Sequence, residues 1–557
     1  MLARTALTRT FLAALPLSLA AAALPAAEGA DPSPDRRAAA SSTLHVAVDG
    51  SDRAAGTAAR PLRTIGRAID RAAPGATIVV HAGTYHEGFV VPDGKPLTIL
   101  TRGRVWLDGS RAVKRWRAAD GRFVSDGWTA RFDASPTYTW GAPDNTEPNW
   151  QFVNPARPMA AHPDQVWVNG KPQRQVASRD RVRPGTFYVD EAAHRLYLGT
   201  NPRGKRVRAS DIAKAISIRA AGTRIRGINV RRFAPSVPHM GAVTAERDRV
   251  VLERMVIRDN ATTGLHVMGA DSVLRRVRVV RNGMLGMSGT HADRLRMVRV
   301  VARRNNVEGF NQSPVAGGVK IGRTDEVSVV RGTFADNDGT GLWFDEGVHH
   351  MTVVDSLVRG NKHHGISLEI SSLALVTDTV IAGNADNGIK VNNTSDVSLW
   401  NNTFLRNGRS INIVGDDRSP RLGPVEVHNN ILSAPNRSAN CLLCVEDYTD
   451  RFTAEQIGVR ASGNVYQRAA ADRPRWAVVW SRGAGNPATF DTVAEFRQRT
   501  GQEARHLELV GTRAVTASYR PTTAVRKRTG IAEPTPTRLA RIARVRAGGQ
   551  HLGAWVD

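Results

Sequence analysis

Four short segments decide the reading of this chain: Gly318-Val319-Lys320-Ile321, Gly341-Leu342-Trp343-Phe344-Asp345, Gly365-Ile366-Ser367-Leu368-Glu369 and Gly388-Ile389-Lys390-Val391-Asn392. Their leading glycines are 23, 24 and 23 residues apart. Each segment alternates apolar and polar residues, the period-2 pattern of a half-buried strand. Val319/Ile321, Leu342/Phe344, Ile366/Leu368 and Ile389/Val391 share one face. Lys320, Trp343, Ser367 and Lys390 share the other, with Asp345, Glu369 and Asn392 beyond them. A second strand follows in each repeat, such as Val327–Val330 or Met351–Val354, and an Asn closes it at 337, 361, 384 and 407. Asn tolerates left-handed turn backbone, and stacked copies can hydrogen-bond along the stack.

A coil this short cannot bury its own apolar face and must stack on its neighbours. The pattern therefore predicts an all-β protein built as a parallel β-helix. The L-x-x-L-x-L framework with a helix that marks leucine-rich repeats is absent. Earlier coils are expected from Ile216 onward, with turn residues Asn260, Asn282 and Asn305. The step from Asn305 to Asn337 is 32 residues, so an extra loop spans Val307 to Gly317 and includes Glu308. Insertions in solenoids cluster on one face, often the binding face. The regular pattern is expected to close at Asn412, with one further coil through Val425–Ile431.

The remaining chain divides by composition. Residues 1–27 have Arg4 and Arg9, then an Ala/Leu-rich run and small residues, which predicts a secretory signal peptide. Residues 28–42 form an Ala/Pro/Ser linker. No further long apolar run exists, so an exported, non-membrane protein is expected. The 557 residues carry a formal net charge of +26. The arginines are scattered through every segment and accompany no nucleic-acid motif, so nucleic acid is not an expected partner. Cys441 and Cys444 are the only cysteines; in an exported chain they are expected to form a disulfide. Residues 441–557 should supply closing coils, an amphipathic helix near Thr492–Arg499 and a tail that packs along the solenoid and caps its end. The chain is expected to be a monomer.

From Leu44 to Val91 a strand at Val46–Val48, a helix over Ile65–Ala72 and a strand at Thr77–His81 are expected. This stretch carries Gly50-Ser51-Asp52, Gly56-Thr57, Pro61, Thr64-Ile65, Ala68-Ile69, Pro74-Gly75, Thr77-Ile78, Gly83 and Tyr85. It resembles the amino-terminal cap of secreted, pectate-lyase-like right-handed parallel β-helix proteins. The resemblance implies the fold but no single activity, since lyases, hydrolases and epimerases share it. Residues 43–108 would be the cap and first coils. Residues 109–210 lose the period, gain Trp116, Trp128, Trp140, Trp150 and Trp167, and place Asn169-Gly170 at a hairpin turn. They resemble the β-rich module inserted into β-helix proteins of glycosidase type, and residues 211–440 would then resume the helix.

The chemistry is expected on the polar column. Asp345 and Glu369 fall in the same register on successive rungs, about 4.8 Å apart. Like charges so close should raise at least one pKa, as an acid/base pair requires. Such a pair fits a retaining glycosidase at about 5 Å and an inverting one if splayed. Trp343 would offer a sugar platform, Lys320 would assist, and Glu308, His364, Lys390 and Asn392 would contact substrate. The polygalacturonase motif set is missing, so a pectin hydrolase is not implied. In a second reading the protein is a polysaccharide lyase: Lys320 or Lys390 abstracts a proton from a uronate, with calcium held by Asp345 and Glu369. A third reading is a non-catalytic polysaccharide-binding solenoid. His349-His350 and His363-His364 occupy different parts of the coil and are not expected to form a metal site. No cofactor is expected, calcium excepted in the lyase reading.

Overall fold

The computed structural model describes residues 43–418, 422–436, 439–543 and 546–554. The expected signal peptide and linker lie outside these residues. The described chain is a right-handed parallel β-helix whose coils each contain three short strands. The coil Thr340–Asp345, His349–Val354 and Leu357–Arg359 stacks on Ile366–Glu369, Ser372–Thr377 and Val380–Ala382, strand for strand and in parallel. The first strands of successive coils form a 13-stranded sheet; the second and third run together as a 23-stranded one. Inward residues Val319, Ile321, Leu342, Phe344, Ile366, Leu368, Ile389 and Val391 are essentially inaccessible. Full burial of each such side chain contributes about 1.5–3 kcal/mol.

The repeat asparagines form the expected ladder. Asn260, Asn282, Asn305, Asn337, Asn361 and Asn384 each donate from Nδ2 to Oδ1 of the next, ending on Asn407, at 2.8–3.1 Å. The left-handed residue of the turn is not the Asn but its predecessor: Asp259, Arg281, Arg304, Asp336, Gly360, Gly383 and Arg406 have φ between 52° and 63°. That residue turns the chain so that the Asn side chain points inward. The period of the leading glycines has the same origin. A Cβ on Gly341 would lie 2.5 Å from Asn361 Nδ2, and one on Gly365 2.7 Å from Asn384 Nδ2. Only a glycine lets the ladder amide approach the strand this closely.

Asn412 does not close the pattern. It lies on the strand Arg409–Gly415, paired with Lys390, and coils continue through Leu443–Asp447, Val459–Ser462 and Asn464–Arg468. A second ladder accompanies them, from Asn402 to Asn430 to Asn464 at 3.0 and 3.1 Å. It ends on Glu503, which accepts from Asn464 Nδ2 at 2.7 Å and from the Tyr466 hydroxyl at 2.8 Å. Burial pushes the Glu503 carboxyl up to about 7, against these hydrogen bonds. A raised carboxyl pKa favours the folded state when protonated. That stability is complete below the ordinary value of 4.5 and is lost as pH rises toward 7, on the order of 3 kcal/mol. Glu503→Gln should therefore raise the melting temperature at pH 8 but not at pH 4; an equal shift at both would refute this.

Both ends are closed by helices. Ile65–Arg71 buries Ile65, Ala68 and Ile69 on the first coil, with Thr64 as its N-cap. Its first amides donate to the Glu87 carboxylate at 3.0 and 3.1 Å. The first strand is Thr43–Val46, not Val46–Val48, because Ala47 turns its amide to Leu62 O. At the other end Val493–Thr500 buries Val493 and Phe496 against Phe490 and Trp480. The tail lies along the flank and does not cap the end: Ala554 N donates to Thr403 Oγ1, and Leu552 joins a cluster with Ile431 and Val465. Trp555 lies outside the described residues. Cys441 and Cys444 are buried and disulfide-bonded. Among the described residues no helix is long and apolar enough to cross a membrane.

Between Ser110 and Ser210 the chain leaves the helix as an eight-stranded sheet. Asn169 and Gly170, with φ of 48° and 78°, make the expected hairpin turn. The strands where it departs and returns pair antiparallel. At this junction the buried Asp108 carboxylate meets Arg231, Arg232 and Arg208. Burial alone would raise the Asp108 pKa; Arg232 and its neighbours hold it below the usual range.

Candidate active site

On the 13-stranded sheet Lys320, Trp343, Ser367, Lys390 and Asn412 stack in one register, as the alternation implies. Asp345 and Glu369 follow one step beyond the paired Phe344 and Leu368. Both point outward from the coil. Left-handed Glu346 and Ile370, with φ of 51° and 46°, turn the chain immediately after them. Outward residues of a solenoid are ordinarily wet, yet Asp345 is 6% and Glu369 7% exposed. Something covers this face.

The covering groups are cations and a tryptophan. Lys320 Nζ lies 2.8 Å from Asp345 Oδ2, donates to Pro314 O at 2.7 Å, and stands 3.9 Å from the centre of the Trp343 ring. The Trp343 indole N–H donates to Glu369 Oε2 at 2.9 Å. Arg418 is 2.6 Å from Glu369 Oε1 and 2.8 Å from Asp416 Oδ2. Asn392 donates to Asp416 and accepts from Arg418. Burial pulls the Asp416 carboxyl upward, but the bonds from Arg418 and Asn392 hold it at about 2. Burial works against the Arg418 charge, and Asp416 and Glu369 outweigh it and raise its pKa.

This geometry corrects several sequence expectations. The two acids are not left to repel one another, since each has its own cation. Trp343 is 7% exposed with Lys320 over one face, so it is no open sugar platform; it holds the Lys320 ammonium and the Glu369 carboxylate. Asn392 is scaffold for Asp416 and Arg418. Glu308 stands apart, in a cavity of about 240 Å³ lined by Arg157, Arg174 and Arg181 of the module. Burial there pushes its carboxyl up to about 7, with Arg157 acting the other way. His364 contacts Asn387 and Asp386 and bonds to neither catalytic candidate. Lys390 is half-buried and makes no hydrogen bond or ion pair among the described residues.

The loop at 307–317 packs against the module, and its Pro314 O accepts from Lys320. Phe310, Val315 and Ala316 pack with Phe152, Val237 and Met284, and Asn311 N donates to Phe152 O. The module's tryptophans divide: Trp128 is core, whereas Trp140 and Trp150 are 56% and 54% exposed. Upstream in the Lys320 column lie Ser288, His266 and Thr244. His266 is buried, bonds through Nδ1 to Ser288 Oγ at 2.7 Å, and has an unpartnered Nε2. Burial lowers its pKa to about 4.

His363 and His364 stack at 3.8 Å and meet Asp386 of the next coil, the three ligand atoms lying within 4.8 Å of one another. Among the described residues these three are a group that could hold a metal. Asp416 and Arg418 were missed because they follow the strand outside any repeat position. Asp386 had a signal: it lies 23 residues after His363, one repeat on.

Fold and site together define a right-handed parallel β-helix with a sheltered carboxylate pair on its outer face. Residues 215–407 match the model described as right handed beta helix region, and residues 48–100 match a protein family of unknown function, DUF1565. A curated relative, uncharacterized protein YwoF of Bacillus subtilis (strain 168), is 44% identical over 59 residues; the match spans 10% of this chain and 13% of that protein. Among solved structures, the complex of XylC with xylose has a TM-score of 0.53 at 12% identity, over 84% of this chain and 83% of that one. The pectate lyase Pel9A has a TM-score of 0.43 at 13% identity, over 92% and 96%. At 12% identity the likeness to the XylC complex is one of fold.

Proposed function

We propose that this protein cleaves glycosidic bonds of a polysaccharide by hydrolysis with retention, using Asp345 and Glu369. One observation carries the reading: two outward carboxylates on adjacent rungs, sheltered from water and individually held by donors. A rung spacing of about 4.8 Å suits the roughly 5 Å separation of a retaining pair. Asp345 is the nucleophile. Lys320, itself fixed by Pro314 O and the Trp343 face, pairs with it at 2.8 Å. Glu369 is the acid/base. Its carboxylate is held by the Trp343 indole and by Arg418, whose side chain is 40% exposed. Exposed Trp140 and Trp150 offer the module's apolar faces to sugar rings. The carboxylate chemistry needs no cofactor, and the buried disulfide supports work outside the cell.

Lys390 favours a second reading. A half-buried lysine without a partner is a candidate base for β-elimination from a uronate, and Arg418 could neutralise the uronate carboxylate. A panel of neutral and uronate-containing polysaccharides separates the two. Hydrolysis releases reducing ends without ultraviolet-absorbing products. Unsaturated, absorbing products would overturn the hydrolase reading in favour of Lys390, and release of neither would leave a binding solenoid.

A further inference from the structure

We propose that His363, His364 and Asp386 form a binding site for a divalent late-transition metal ion of the zinc type. The residues come from two successive coils at the mouth of the strands Ile366–Glu369 and Asn387–Asn392. Asp386 Oδ2 lies 3.1 Å from His363 Nε2 and 4.0 Å from His364 Nδ1. Ligand atoms about 2.0–2.2 Å from a tetrahedral zinc stand roughly 3.3–3.6 Å from one another. The two Asp386 separations bracket that range, and all three ligand atoms lie within 4.8 Å of one another, so side-chain adjustment would close the site.

The surroundings fix the lone pairs where a metal needs them. The Asn387 amide Nδ2 is 3.1 Å from His364 Nδ1 and donates to it, so Nδ1 is unprotonated, and an ion bound there takes the place of this hydrogen bond. Thr340 Oγ1 is 3.1 Å from His363 Nδ1 and can accept its proton, which leaves Nε2 to ligate. An outer partner that orients a histidine in this way is the usual companion of a metal ligand. Burial lowers both histidine pKa values, with Asp386 opposing at His363 and the charge of Lys390 adding to the effect at both. Neutral imidazole is the form that binds metal. The Asp386 side chain is 48% exposed, which gives an ion a way in. Two imidazoles and one carboxylate suit zinc, cobalt or nickel and disfavour calcium, which takes oxygen ligands. Three protein ligands leave a fourth position for water or a substrate oxygen.

The test is independent of catalysis. Chelator-treated full-length protein is titrated with zinc alone by calorimetry, and with cobalt alone by visible absorption. One ion per chain is expected, with a cobalt spectrum of low coordination number. His363→Ala and Asp386→Asn should abolish that spectrum, and Thr340→Val should weaken zinc affinity about 10–100-fold. His350→Ala, which removes the exposed His350–Asp325 pair, should leave binding unchanged. Unaltered metal-free melting of each variant separates ligand loss from misfolding. Failure of the unmodified protein to bind zinc or cobalt, or equal binding after His363→Ala and Asp386→Asn, would overturn the proposal. Neither result bears on whether Asp345 and Glu369 cleave glycosides.

Discussion

Asp345→Asn and Glu369→Gln are each expected to lower kcat by about 10²–10⁴, the usual cost of removing a positioned proton-transfer or nucleophilic group. Each amide keeps the size of the carboxyl and part of its hydrogen bonding, so the fold should survive. The two variants should differ in detail. Glu369→Gln retains an oxygen for the Trp343 N–H but cannot donate a proton to the leaving group. Substrates with good leaving groups should therefore partly recover its first step. Asp345→Asn has no such remedy, because it removes the attacking atom's charge. Lys320→Ala should cost less than either. It removes a group that stabilises the Asp345 charge and packs on Trp343, while the carboxylate itself remains. Near-normal kcat in both amide variants would remove the pair from the mechanism, whatever the substrate.

The second large effect lies in the ladder. Asn337 Oδ1 accepts from both the backbone N and Nδ2 of Asn305, and Asn337 Nδ2 donates to Ala302 O and Asn361 Oδ1. Asn337 is completely buried, so Asn337→Ala takes the acceptor from the Asn305 backbone N–H and a donor from each of Ala302 O and Asn361 Oδ1, and leaves a cavity in their midst. Each orphaned buried group costs about 1–3 kcal/mol. Losses should therefore reach about 4 kcal/mol or more, read as a lower midpoint in urea unfolding. A midpoint within experimental scatter of the parent would show that the ladder is not what ties the coils together. Asn337→Asp should also destabilise, because a carboxylate cannot donate to Ala302 O or Asn361 Oδ1 and its charge would be buried without a cation.

What was legible in the sequence follows from how each feature is encoded. The period, the inward Val/Ile/Leu/Phe residues and the ladder asparagines recur at fixed intervals, and a solenoid converts interval into position. The helix over Ile65–Arg71 and the helix Val493–Thr500 carry their own caps and buried faces. The hairpin at Asn169-Gly170 is local chemistry. Alternation also placed Asp345 and Glu369 on the outer face, but it says nothing of what lies over that face. Hence Trp343 reads as exposed, and only folding shows Lys320 across its ring and Glu369 against its edge. Arg418 and Asp416 belong to a segment after the strand Arg409–Gly415, outside any repeat, so no spacing marks them. Glu308 was read with the loop it belongs to; the module's own fold places it against Arg157. The histidine pair at 363–364 lacked its third member because Asp386 joins it through stacking, one repeat away.

The central claim is that Asp345 attacks the sugar. It is tested most directly by the product that Asp345→Ala forms on an activated glycoside in the presence of azide. If Asp345 is the nucleophile, its removal opens a space beside the anomeric carbon that azide can occupy. Turnover should then be restored, and the glycosyl azide should have the anomeric configuration opposite to that of the substrate. No rescue of Asp345→Ala, together with an inverted glycosyl azide from Glu369→Ala, would contradict the assignment.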